Sequence, residues 1–81
     1  MKITSAAGEH CWRNFYLVSP EIWCDGIQLH SVLEADDQAG YVVQPKFDEH
    51  GLFVHVDGEL VTQRRTGTVR FVGGHRRAET R

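Results

Sequence analysis

At 81 residues and 9.2 kDa, with 41% hydrophobic and 25% charged side chains, the chain is sized for one small globular core. Its longest apolar run, residues 15–18, is strand length and far below the roughly 18 residues of a membrane-spanning helix, which excludes a helical membrane protein. The formal charge of −2 is bland, and composition alone points to no activity.

The first ten residues carry Lys2 with no apolar segment behind it. That is not the pattern of a secretory signal, and a cytoplasmic chain that starts as written is the expectation. Residues 15–18 form the first predicted strand, halted by Ser19 and Pro20. Asp25 followed by Gly26 is the sharpest turn signal. Both residues tolerate positive φ, which a two-residue type I′ loop needs at both positions, so the pair should join residues 21–24 to residues 27–33. Residues 31–34, Ser-Val-Leu-Glu, resemble a capping box and could support a single helical turn. An acidic turn at residues 36–40 leads into residues 41–44, a β-branched and aromatic strand that Pro45 ends or marks as an edge. After a turn at residues 48–51, Leu52, Val54 and Val56 alternate with Phe53 and His55 in the period of a strand. A further turn at residues 57–59 precedes residues 62–72. There Gly67 breaks the run, Val69 and Phe71 share one face, and Thr68, Arg70 and Val72 share the other.

No segment sustains a helical apolar period over three turns, and no internal repeat is visible. The expectation is an all-β domain over residues 1–72, an antiparallel meander of five or six short strands, strongly twisted or partly closed into a barrel so that edges are covered. Residues 73–81 have nothing to bury and read as a disordered basic tail. The expected core is Phe15, Leu17, Ile27, Leu29, Tyr41, Val43, Leu52, Val54, Val69 and Phe71. A core this thin benefits from self-association, which leaves a dimer open.

Chemistry is sparse. A metal site would draw on His10, Cys11, Cys24 and His30, but neither a C-x₂-C nor an H-x₃-H pair is present, so neither a metal nor any cofactor is expected. Two cysteines are too few for a disulfide framework, and reduced thiols are expected in the cytoplasm. A nucleophilic Cys24 would need a base such as His30 across the hairpin, whereas a small cysteine filling the core is the commoner role. Asp36 with Asp37, and Asp48 with Glu49, could hold a divalent ion, yet aspartate is favoured in turns for its own backbone hydrogen bonds. No enzyme is expected.

The charges are segregated. Between Glu21 and Glu59 lie Glu21, Asp25, Glu34, Asp36, Asp37, Asp48, Glu49, Asp57 and Glu59 against Lys46, whereas Arg64, Arg65, Arg70, Arg76, Arg77 and Arg81 face Glu79 in the remainder. Solvated arginines, or arginines paired with the acidic middle of the same fold, would carry no function. As a contact surface, Arg64, Arg65, Arg70, Arg76 and Arg77 could meet carboxylates or phosphates, with Tyr41, Phe53 and Phe71 as stacking platforms for bases. Trp12 and Trp23 beside arginine offer anchors for a protein interface.

Asp25 and Gly26, Val32, Ala35 through Asp37, Gly40 through Val42, the turn from Asp48 to Gly51, and Thr62, Arg64, Gly67 and Val69 form a recognisable order. It resembles small uncharacterised proteins encoded by tailed bacteriophages and prophages, in which an Asp-Gly hairpin, an A-D-D turn ending in Gly-aromatic-Val, a D-x-x-G turn and a T-x-R-x-x-G-x-V strand follow one another. The likeness runs over about residues 25–72 and has no counterpart for the first 20 residues. It implies provenance: a bacterial cytoplasm under phage or prophage control, or a minor part of the particle. No catalytic residue carries over. The expected function is a non-enzymatic module that binds a protein or a second copy of itself. The alternative is a weak nucleic-acid binder using the basic C-terminal strand and tail, and no membrane association is expected in either case.

Overall fold

Two Asp-Gly pairs make the tightest turns of the chain. Asp25 and Gly26 have φ of 51° and 80°, and Asp57 and Gly58 have 52° and 79°, the positive values at both central positions that a type I′ hairpin requires. The computed structural model describes residues 1–76. The first pair joins β3 (Glu21–Cys24) to β4 (Ile27–Leu29), with Ile22 opposite Leu29 and Cys24 opposite Ile27. The second joins the short strands β7 (His55–Val56) and β8 (Glu59–Leu60).

The acidic turn at residues 36–40 closes a third hairpin. Asp36 Oδ1 accepts the backbone N–H groups of Gln38 and Ala39, both at 2.9 Å, and Gly40 takes a φ of 78°. This turn links β5 (Glu34–Asp36) to β6 (Tyr41–Pro45). Residues 34–36 are therefore strand, where the capping-box pattern suggested a turn of helix. Glu34 pairs with Val43 and, on its other side, with Thr4 of β1 (Lys2–Thr4), and this ladder outweighs a single unsupported helical turn. The remaining strands are β2 (Tyr16–Val18), β9 (Thr62–Thr66), β10 (Val69–Val72) and β11 (His75–Arg76). The described residues contain no α-helix, only one turn of 3₁₀-helix at Trp12–Asn14.

The fold is all-β and every strand pairing is antiparallel, but the strand order is not a meander. A four-stranded sheet runs β1-β5-β6-β9 and a three-stranded sheet runs β10-β3-β4, with β11-β2 and β7-β8 as separate pairs, and no sheet closes into a barrel. Gly67 is the reason. It ends β9 and lets the chain leave the first sheet, so that β10 crosses to pair with β3, Val69 meeting Cys24 and Phe71 meeting Ile22. The crossing is locked at close quarters. Gly67 N–H donates to Gly40 C=O, Asp25 N–H donates to Thr68 C=O, and Thr68 N–H donates to Asp25 Oδ1 at 2.8 Å. A Cβ at Gly67 would collide with the Asp25 carboxylate, so any side chain there has to displace that carboxylate from the Thr68 N–H.

The core lies between the two larger sheets, with Ile3, Ala35 and Val42 from one and Ile22, Cys24, Leu29 and Val69 from the other. The expected core residues Leu29, Tyr41 and Val69 are buried, while Phe15, Val43, Val54 and Phe71 are half-buried. Three are misplaced. Leu17 is 54% exposed because β2 presents its other face, burying Tyr16, and in a strand a one-residue change of face inverts the whole set. Ile27 is 57% exposed on β4, an edge strand beside the turn. Leu52 is 64% exposed in an arm outside the core. Of the tail read from Gly73 onward, His75 and Arg76 instead pair as β11 with β2, across from Val18 and Tyr16, while residues 77–81 lie outside the described residues.

Candidate functional site

Strand alternation puts Ile22 and Cys24 of β3 into the core and turns Trp23 outward. Cross-strand register then lines Trp23 up with Arg70 of β10 on one side and Gln28 of β4 on the other. Trp23, Arg70, Thr68, Val72 and Gly26 enclose a depression of about 300 Å³ on the outer face of the three-stranded sheet. Its Gly26–Thr68 rim is held by the paired hydrogen bonds between Asp25 and Thr68. The Trp23 indole N–H donates to Glu21 Oε1 at 3.0 Å, which fixes the ring and satisfies its polar edge. The result is a fixed aromatic plane beside a guanidinium and an aliphatic side chain. Such a surface accepts an apolar side chain next to a carboxylate.

The other expected contact residues are dispersed. Arg64 and Arg65 are neighbours on β9 and point to opposite faces of the four-stranded sheet. The Arg64 guanidinium stacks 4.0 Å from the centre of the Tyr41 ring, whose hydroxyl donates to Glu34 Oε2 at 2.5 Å, while Lys2 Nζ stands 3.9 Å from Glu34 Oε1. The hydrogen bond to the Glu34 carboxylate, followed by burial, raises the Tyr41 pKa above its ordinary 10.0. Arg76 lies 5.2 Å over the Tyr16 ring on the β2–β11 pair, and Arg77 is outside the described residues. Trp12 packs against the core under Arg13, whose guanidinium is 4.5 Å from its ring, so it is not a free anchor. Among the described residues, none of Arg64, Arg65, Arg70 or Arg76 has a carboxylate within ion-pair distance. The acidic middle of the fold does not neutralise them.

Sequence reasoning missed a second feature, an arm formed by residues 46–61. The β6–β9 ladder ends at Pro45 opposite Thr62, and Lys46, Val54 and Val61 then exchange backbone hydrogen bonds at 2.9 Å. Phe47 bridges to Phe53, with ring centres 5.1 Å apart. Neither larger sheet pairs with β7 or β8, and no residue of the arm joins the core cluster of described residues. The chain exposes Phe47, Leu52, Phe53, Val56 and Leu60 there. Alternation of Leu52, Val54 and Val56 signalled a strand, but nothing local distinguishes a strand packed inside from one that projects.

The candidate metal ligands do not converge. Cys24 is 1% exposed in the core and Cys11 is buried beside Thr4, both as free thiols, while His10 meets Glu9 and His30 is exposed. No three His, Cys, Asp or Glu side chains gather among the described residues. No described helix is long and apolar enough to cross a membrane. Comparison with family models, curated proteins and solved structures finds no match to this chain. The geometry of the faces is thus what speaks for function.

Proposed function

We propose that the protein is a non-enzymatic binding module whose partner is a protein, engaged through the outer face of the three-stranded sheet. The observation that carries this reading is the depression between Trp23, Arg70 and Val72. Tryptophan and arginine dominate the energetics of protein interfaces because each combines a large contact area with directed polar groups. A nucleic-acid interface would instead need a basic stripe along one face. Here Arg64 is stacked on Tyr41 beside Glu34, Arg65 faces the other way, and Arg70 stands on a different sheet. A phage or prophage setting rests only on the order of turns and strands described above.

Titration with single-stranded and duplex oligonucleotides at two salt concentrations tests the reading. Feeble binding is expected. Salt-sensitive binding that disappears in an Arg64→Ala, Arg65→Ala, Arg70→Ala triple variant would replace the protein partner by a nucleic acid, with the salt slope reporting the phosphates neutralised.

A further inference from the structure

The chain carries two Asp-Gly pairs, and the fold sets both in the same kind of turn, with φ of 51° and 80° at Asp25 and Gly26 and 52° and 79° at Asp57 and Gly58. All four residues are exposed. An aspartate followed by glycine carries a latent reaction, because the glycine has no side chain to hinder attack of its nitrogen on the aspartate Cγ. The two pairs are alike in chemistry, turn and exposure, and they differ in what surrounds them.

The turn itself opposes the reaction. A five-membered ring needs the aspartate Cβ and the glycine nitrogen on the same side of the Cα–C bond. In a type I′ turn the first central residue has ψ of about +30°, which places the two nearly opposite each other. The hairpin therefore has to open before the ring can close, and the cost of opening sets the rate. Asp25 is held at several points. Its N–H donates to Thr68 C=O, its Oδ1 accepts the Thr68 N–H at 2.8 Å, and its carboxylate fills the space beside Gly67. Its hairpin also carries Ile22, Cys24 and Leu29 into the core and is flanked by β10. Asp57 has no such support. Among the described residues its carboxylate meets no donor and no cation. The β7–β8 ladder consists of His55 with Leu60 and Val56 with Glu59, and neither strand reaches the core cluster. A hairpin so short and unsupported is marginal.

We propose that Asp57 is a site of spontaneous isomerisation to isoaspartate, and that Asp25 is protected from the same reaction by its hold on Thr68. The Gly58 nitrogen bonds to Asp57 Cγ, and the N–H proton and the Cγ hydroxyl leave together as water, giving a succinimide. Water then adds to a ring carbonyl. When the bond between the nitrogen and the Asp57 α-carbonyl breaks, the main chain runs through Cγ and the α-carboxylate is free. Mass and charge are unchanged, but one methylene enters the backbone at a two-residue turn that has no room for it. β7 and β8 then lose their register, while the core and the Trp23–Arg70 face stay as they were. The site does not depend on the protein-binding reading above.

The test incubates the full chain for weeks in mildly acidic buffer, folded in one sample and unfolded in guanidinium chloride in another. Each is then digested with a protease that cuts before aspartate but not before isoaspartate. In the folded sample, conversion at Asp57 is expected to exceed that at Asp25 by about tenfold or more, and in denaturant the two sites should convert alike. Asp57→Glu, whose ring would need one more member, should abolish the signal of the folded sample. The converted chain should melt at the same temperature as the unconverted one. Equal conversion at the two sites of the folded chain, conversion led by Asp25, or a folded chain inert at Asp57 while the unfolded sample reacts would each overturn the proposal. An Asp57 lead that persists undiminished in denaturant would overturn it too, since the neighbouring residues rather than the fold would then set the difference. A lowered melting temperature would contradict a change confined to the arm.

Discussion

Gly67 shows how much of this fold hangs on the absence of one side chain. The residue sits where two sheets exchange the chain, against Gly40 C=O and the Asp25 carboxylate that holds Thr68. Gly67→Ala should displace that carboxylate from the Thr68 N–H and lower stability by about 1–3 kcal/mol, read as an earlier denaturant midpoint with an unchanged slope. A midpoint equal to wild type would show that the crossing tolerates a Cβ. Tyr41 provides a pH-dependent counterpart. Its hydroxyl is held protonated by the Glu34 carboxylate, so the folded pKa lies above the unfolded value near 10.0. The stability this contributes is full below pH 10 and is lost as pH rises through the folded pKa. Ultraviolet titration of wild type against Tyr41→Phe should place the Tyr41 component above pH 10.0, and a component at or below that value would contradict the Glu34 contact. Asp36 has the opposite sign. The Ala39 N–H leads the causes that lower its pKa below 3.8, so its contribution is present above pH 3.8 and is lost as pH falls through the depressed value.

At the scale of the strand, burial separates residues that the period of 2 treats alike. Ile22 and Ile27 belong to the same hairpin, yet Ile22 faces the core and Ile27 faces water. Ile22→Ala should cost about 2–5 kcal/mol, whereas Ile27→Ala should stay within roughly 0.5 kcal/mol of wild type. Equal losses in thermal or denaturant unfolding would mean that the edge strand is covered. The same pair explains what could be read in advance. The Asp25–Gly26 and Asp57–Gly58 turns were legible because positive φ is a local demand that few residues meet. The buried face of β2 was not, because Phe15 and Leu17 alternate with Tyr16 and Val18 and all four are apolar, so only packing decides between them. β1 and β5 were missed for a related reason. Ile3 and Ala35 are core residues within polar surroundings, and their pairing joins segments some thirty residues apart, which no local pattern reports.

Across the whole molecule, the charge segregation visible in the sequence acquires a geometry that composition did not contain. The acids of residues 46–61 ride on an apolar arm, and Arg64, Arg65, Arg70 and Arg76 are spread over three sheets, with Arg70 beside the half-buried Trp23 ring. Trp23 was legible as a candidate anchor from its residue type. Its partners were not, since Arg70 and Trp23 are brought opposite each other by the β10 crossing at Gly67. The most direct measurement of the choice between a protein and a nucleic-acid partner follows the Trp23 indole N–H and the Arg64, Arg65 and Arg70 signals by NMR while a short oligonucleotide is added at two salt concentrations. Signals of Trp23, Arg64, Arg65 and Arg70 that stay in place at both salt concentrations are the predicted result. Shifts confined to Arg64, Arg65 and their β9 neighbours on adding oligonucleotide, with Trp23 unmoved throughout, would contradict it.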